Sequence, residues 1–236
     1  NYVITFAPMA KIIAIGNQKG GTGKTTVTCL LSNALSAPPF DLRVYVADCD
    51  PQQSIIKRRR QDHDDDTPPP YPVEYFETFK LLQQEIKDLD EQNDVVFLDL
   101  PGRLDAAKDG TLYFLHLVDL LLIPFAPGNY ALESTIDYLK IAVKIRDLRK
   151  ASGRPMQVVG FVNFFEGGRT VDDRWLLKEL AALQKITGIE IMTNNLQKYA
   201  IFRAVDTFTS LYNRQSSDRA TVNFSNFVDE FKTLIK

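Results

Sequence analysis

The sequence predicts an α/β protein with a doubly wound, mostly parallel sheet and helices on both faces. Three observations lead there. Short apolar runs alternate along the chain with longer segments of helical period. The runs are continuous, without the polar alternation of half-exposed strands, so they are expected to be covered on both sides. The first run opens into a glycine-rich loop followed by a helical period, the order that places a ligand loop at the carboxyl end of a strand.

Lys11–Gly16 (KIIAIG) is the first buried strand, followed by Leu42–Asp48, Asp94–Asp99, Val118–Phe125 and Gln157–Asn163, with Ile189–Met192 as a shorter one. Helical periods occupy Lys24–Ser36, Glu77–Leu89, Tyr130–Lys150, Asp172–Ile186 and Arg219–Lys236. Right-handed crossovers between such units build a sheet with helices on both faces. One segment breaks the rhythm. Lys57–Pro70 (KRRRQDHDDDTPPP) runs basic, then acidic, then into prolines, and is expected to be a solvated, mobile loop. Neither an internal repeat nor a domain boundary is visible, so the 236 residues are expected to form one domain. Met9-Ala10-Lys11 resembles a natural start, which makes Asn1–Pro8 an extension, native or added.

Charge and composition exclude several classes. Lys and Arg number 28 against 30 Asp and Glu, so the molecule as a whole is not a basic nucleic-acid binder, and contact with DNA requires a local patch. Cys29 and Cys49 form no C-x-x-C pair and are expected to be buried thiols. His63 and His116 stand apart from any cluster with metal-ligand spacing. No apolar run approaches the roughly 18 residues that span a bilayer. The first residues lack the features of a signal peptide, and a cytoplasmic location is expected.

The chemistry is concentrated after the first strand, in Asn17-Gln18-Lys19-Gly20-Gly21-Thr22-Gly23-Lys24-Thr25-Thr26. Gly20, Gly21 and Gly23 let backbone N–H groups turn inward and approach phosphate oxygens without a Cβ in the way. The helix beginning near Lys24 adds its positive end. Lys24 is placed for the β- and γ-phosphates, Thr25 for Mg²⁺ through its hydroxyl, and Thr26 for the α-phosphate side. Thr22 completes the cradle. The usual G-x-x-x-x-G-K-[ST] pattern would put glycine at position 18; this chain has Gln18, and Lys19 ahead of a double glycine.

That variant, K-G-G-x-G-K-T, resembles the deviant Walker A motif of the ParA/MinD family of ATPases, most closely its small ParA-type plasmid partition members. The resemblance runs from Lys11 to about Arg203. It is strong at residues 17–26, good at 46–52 and weak after 165. Asp48-Cys49-Asp50-Pro51-Gln52 is similar to the family's D-x-D-P-Q segment, which implies that Asp50 positions the attacking water and that Asp48 lies near the metal shell. Asp99 closes an apolar strand in the Walker B manner and is expected to bind a Mg²⁺ water. Val162-Asn163-Phe164-Phe165 resembles the strand-end Asn region used near the adenine. Lys19 corresponds to the signature lysine that reaches a partner subunit's phosphates in an ATP-sandwich dimer. The resemblance thus implies ATP and Mg²⁺ as cofactors, with Lys19, Lys24 and Asp50 as catalytic residues.

The function implied is a switch: an ATP-dependent homodimer, reset by slow hydrolysis to ADP and phosphate, acting in plasmid or chromosome partition through non-specific DNA binding and a centromere-binding adaptor. A DNA surface is expected on Lys140–Arg154, where Lys140, Lys144, Arg146, Arg149, Lys150 and Arg154 face one acid, Asp147, while Tyr138, Ile141, Ile145 and Leu148 form the buried face. Lys57–Arg60, Arg203, Arg214 and Arg219 are weaker candidates. The alternatives are a conjugation-accessory ATPase with the same core and a membrane-cycling ATPase of the MinD kind. The latter needs a basic amphipathic terminal helix. The stripe Phe224, Phe227, Val228, Phe231, Leu234 and Ile235 comes with Asp229 and Glu230 as well as lysines, which fits a helix packed on the domain better. An iron–sulfur reductase or a small-molecule synthetase of the same superfamily would need cluster thiolates or a second substrate pocket, and the sequence shows neither.

Overall fold

The computed structural model describes residues 9–62, 66–102, 111–212 and 218–236. The N-terminal extension, His63 and Arg214 lie outside the described residues. In chain order the elements are β1 (Lys11–Ile15), α1 (Lys24–Ser36), β2 (Val44–Asp48), α2 (Ser54–Asp62), β3 (Val73–Tyr75), α3 (Phe79–Gln92), β4 (Val95–Asp99) and α4 (Thr111–Phe114). They continue as β5 (Leu120–Phe125), α5 (Asn129–Ala151), β6 (Gln157–Phe165), α6 (Val171–Thr187), β7 (Glu190–Ile191), β8 (Leu196–Gln197), α7 (Ala200–Arg203) and α8 (Arg219–Leu234). The strands form one sheet in the order β3-β2-β4-β1-β5-β6-β7, with β8 also on β6. Every pairing is parallel, as expected for strands joined by helical crossovers.

Two apolar layers flank the sheet. Along β1, Ile12 and Ala14 enter one layer with residues of α3, α5 and α6, while Ile13 and Ile15 enter the other with α1 and α8. Strands buried on both faces explain why the sequence shows continuous apolar runs there. Phe224, Phe227, Val228 and Phe231 of α8 are fully buried, so this helix packs on the domain as expected. Cys49 and Cys29 are buried and unpaired, one in each layer. Among the described residues no helix is long and apolar enough to cross a membrane. Local capping agrees with the pattern: Thr78, Thr170 and Asp218 accept from Leu81, Asp173 and Thr221 N–H at the starts of α3, α6 and α8.

Two expectations are corrected. The loop expected over Lys57–Pro70 is helical through Asp62, as α2. Its N-terminus is held by the Asp48 carboxylate, which accepts from Ile55 and Ile56 N–H, and Ile55 is fully buried beneath it. Arg59 then turns inward, its guanidinium lying 4.5 Å from the Tyr71 ring centroid and 5.0 Å from that of Phe208. It donates to Tyr71 O, Thr207 O and Thr207 Oγ1. A basic run can pack when its cations meet carbonyls and ring faces. The second correction concerns α5. The buried stripe is Tyr138, Ala142, Ile145 and Arg149, while Leu148 is 67% exposed. The helical step from 145 inward falls on residue 149. Arg149 occupies that place, donating to Leu115 O, Val118 O and Arg154 O. The short elements α2, α4, α7, β3 and β8 carry too few apolar residues for a periodic signal.

Candidate functional site

Strand register builds the site. Ile15 of β1 pairs with Asp99 of β4, and Asp99 with Asp48 of β2, so both aspartates stand at the strand tips beside the glycine loop. The loop is braced from three sides. Asn17, 1% exposed, donates its amide to Pro124 O (2.8 Å) and Thr135 Oγ1 (2.9 Å), tying the entry to β5 and α5. Its Oδ1 accepts from Lys19 N–H at 2.9 Å. Asn163 at the end of β6 donates to Thr22 O at 2.7 Å. Gly23 has φ +90°, and a Cβ there would sit 2.3 Å from the Asn163 amide nitrogen, so glycine is required for both conformation and space. No side chain caps α1, which leaves its first N–H groups directed at the loop.

The two lysines are disposed differently. Lys24 is 8% exposed, and burial lowers its pKa while Asp99 and Asp50 oppose the shift. Its amine lies against Gly102, where an added Cβ would come within 3.1 Å of Nζ. Gly102 is therefore a site residue, and its only sequence signal is its place three residues after Asp99. Lys19 is exposed at the mouth of the loop and makes no ion pair among the described residues.

Thr25 donates its hydroxyl to Asp99 Oδ2 at 2.8 Å. Asp99 is fully buried, and its Oδ1 has no partner among the described residues. Burial pushes this carboxyl up to about 7; the Thr25 bond and Lys24 pull it down, while Asp48 and Asp50 push it further up. A hydroxyl beside a desolvated carboxylate with one unpartnered oxygen fits a hard dication such as Mg²⁺ or one of its waters. The Asp48 carboxylate is engaged otherwise. It accepts from Asp50, Ile55 and Ile56 N–H at 3.2, 3.1 and 3.2 Å, so it holds the Asp50 turn and the start of α2 and has no oxygen left without a partner. Burial raises its pKa and those bonds lower it. Asp50 is half-buried, with Oδ1 accepting from Gln52 N–H at 2.9 Å.

Beside the first turns of α1 lies a cavity of about 140 Å³ lined by Thr26, Val27, Leu30, Phe164, Tyr199 and Phe202, with Asn163 and Arg203 at its polar side. Asn163 lies on the wall of this cavity, where its amide braces the loop and its Oδ1 accepts from Phe164 N–H. Phe164 holds φ +61°, an uncommon conformation for a side chain of this size, at an irregularity in the β6–β8 register. Tyr199, Phe202 and Arg203 reach this wall only through tertiary folding.

A parallel sheet whose first strand hands over to a glycine loop and a helix is the P-loop NTPase fold. Residues 13–231 match the model of the CobQ/CobB/MinD/ParA nucleotide binding domain, and the chain belongs to that family. Over 143 residues it is 30% identical to the maintenance of carboxysome distribution protein A of Halothiobacillus neapolitanus (strain ATCC 23641 / c2). That match covers 59% of this chain and 63% of the relative, under two thirds of its length. Among solved structures, a Cyanothece McdA variant in complex with ATP aligns with a TM-score of 0.68 at 15% identity, over 96% of this chain and 98% of that one. Cobyrinic acid a,c-diamide synthase from Mycobacterium smegmatis aligns at 0.63 and 17%, over 94% and 93%. At such identities the structural likenesses establish the fold alone.

Proposed function

We propose that the protein is an ATP-dependent dimerisation switch that hydrolyses ATP slowly and positions DNA or another large cargo, with an adaptor protein as its activating partner. The disposition of the two lysines carries this reading. Lys24 is enclosed with the loop, while Lys19 is exposed on it and makes no ion pair among the described residues of its own chain. An outward cation at a phosphate site is suited to phosphates held by a second copy, where a charge supplied in trans accelerates transfer. Thr25 and Asp99 would hold Mg²⁺, which offsets phosphate charge when bound. Asp50 orients the attacking water, and Asp48 fixes the turn that carries it.

The tests separate binding from reset. Asp50→Ala is expected to keep ATP and accumulate as a dimer, because the water-orienting group is gone while both lysines remain. Lys19→Ala is expected to keep nucleotide and lose both dimer and hydrolysis. Light scattering in excess ATP and Mg²⁺ decides: a monomeric Asp50→Ala protein rules out the sandwich.

Cargo follows from the surface. Arg149 is buried, and Arg146 is held by Asp147 Oδ1 and Thr187 O. Lys140, Lys144, Lys150 and Arg154 stay exposed on α5 and just beyond it. Duplex DNA is expected to co-sediment with the protein in ATP but not ADP, since dimerisation doubles the patch. With six or more phosphate contacts, affinity should fall roughly 10³-fold or more between about 50 and 200 mM salt. Alanine at these four positions should weaken DNA binding and leave ATP-driven dimerisation intact. Unchanged binding would remove DNA from this face. The apolar stripe of α8 is packed into the core, so this helix does not offer the free amphipathic face that membrane cycling needs.

A further inference from the structure

A groove of about 1340 Å³ runs beside the nucleotide-side cavity, between the end of β6 and the turn after it, the segment leading into α7, and the first turns of α8. It exceeds the usual range of small-molecule clefts, about 300–1,000 Å³. Arg169, Arg203 and Arg219 line it, all exposed and, among the described residues, without an ion pair. The fourth cation, Lys198, is already joined to the Glu166 carboxylate at 2.7 Å. Three arginines without an ion pair among the described residues gather here in a chain whose net charge is −2. The wall is also apolar: Phe165 is half-buried and Val222 is 50% exposed.

We propose that this groove docks an acidic segment of a partner protein that also carries apolar or aromatic side chains. Positive charge with an apolar wall selects carboxylates interspersed with such side chains. A DNA duplex is a stiff, wide rod with outward phosphates, better met by protruding cations than by a concave surface, and it offers Phe165 and Val222 little. Recognition runs through side chains rather than by strand addition. Asn223 already occupies the edge of β8, accepting from Gln197 N–H at 3.0 Å and donating to Asn195 O at 2.8 Å, as an added strand would.

The groove is wired to the nucleotide side. Gln197, Tyr199 and Arg203 line both the groove and the smaller cavity. Arg58 of α2 donates to Ala204 O at 3.3 Å, and α2 begins on the carboxylate of Asp48 beside Asp50. A docked segment that holds α7 in place therefore alters nucleotide release; this regulatory half rests on the proposed function, and the docking half does not.

The experiment uses the whole chain, with a fluorescein-labelled glutamate–tyrosine copolymer as probe, poly-glutamate of equal charge as the apolar-free control, and duplex DNA as competitor. The variant is Arg169→Glu with Arg219→Glu, two groove residues outside the smaller cavity. Anisotropy is expected to show the copolymer binding tighter than poly-glutamate and losing at least about tenfold in affinity in the variant. Unfolding midpoint and ATP affinity should stay at wild-type values. Equal affinity for the two polymers, an unaffected variant, or a variant that loses DNA while keeping the copolymer would each overturn the docking site. Release of a fluorescent ATP analogue should respond to copolymer in the wild type and not in the variant. Copolymer binding with unchanged release overturns the coupling. ATP-driven dimerisation of the same variant keeps a failure of the switch reading distinct from a failure of the groove.

Discussion

Replacing Lys24 by alanine is expected to weaken ATP binding by at least about 30-fold, since removing one partner of a buried charged contact costs about 2 kcal/mol or more. Burial disfavours the charged ammonium, and Asp99 and Asp50 favour it. The amine is enclosed beside Gly102, where an added Cβ would come within 3.1 Å of Nζ. Bound phosphate oxygens would supply negative charge beside it, and no other enclosed side chain on the loop carries a positive charge. The fold should tolerate the change, because alanine favours the helix that position 24 begins. Calorimetry should therefore show the loss of binding at an unchanged unfolding midpoint. ATP affinity within a few-fold of wild type would remove Lys24 from the phosphate site.

Arg149→Ala is expected to destabilise the protein by about 3–5 kcal/mol, because it strips charge-assisted donors from buried carbonyls. Nη1 serves both Leu115 O and Val118 O, and Nε serves Arg154 O, so one side chain satisfies the end of α5 and the approach to β5. Arg149→Lys should recover only part of the loss, since a point charge on a flexible stem cannot reproduce the planar fork. Urea unfolding at constant slope measures both. A loss below about 1 kcal/mol would mean that water replaces the guanidinium and that the side chain is free for an external role.

Much of the site is legible in the sequence because its chemistry is local. The phosphate loop is a contiguous run in which each glycine, lysine and hydroxyl has a place relative to one strand and one helix, so spacing alone orders them. Thr25 and Asp99 lie 74 positions apart, yet each was assignable from its place at a helix start or strand tip, and the structure joins them at 2.8 Å. Asp48 shows where that reasoning ends. Its position beside Asp99 was readable, but its use was not, because its partners are the N–H groups of a helix hidden under a basic run.

By itself the sequence determined the doubly wound sheet, the loop and the aspartates at its edge. Hydrophobic period, glycine spacing and strand-end carboxylates are properties of neighbours along the chain. Tertiary structure alone decided which cations are available. Arg59 and Arg149 look like surface charges in a basic run until long-range carbonyls and rings close over them. Arg169, Arg203 and Arg219, scattered along the chain, meet on one groove only when β6, α7 and α8 converge. A charged side chain costs too much to bury without partners, and those partners are distant in sequence. Composition therefore counts the arginines, and only packing sorts them into braces and contacts.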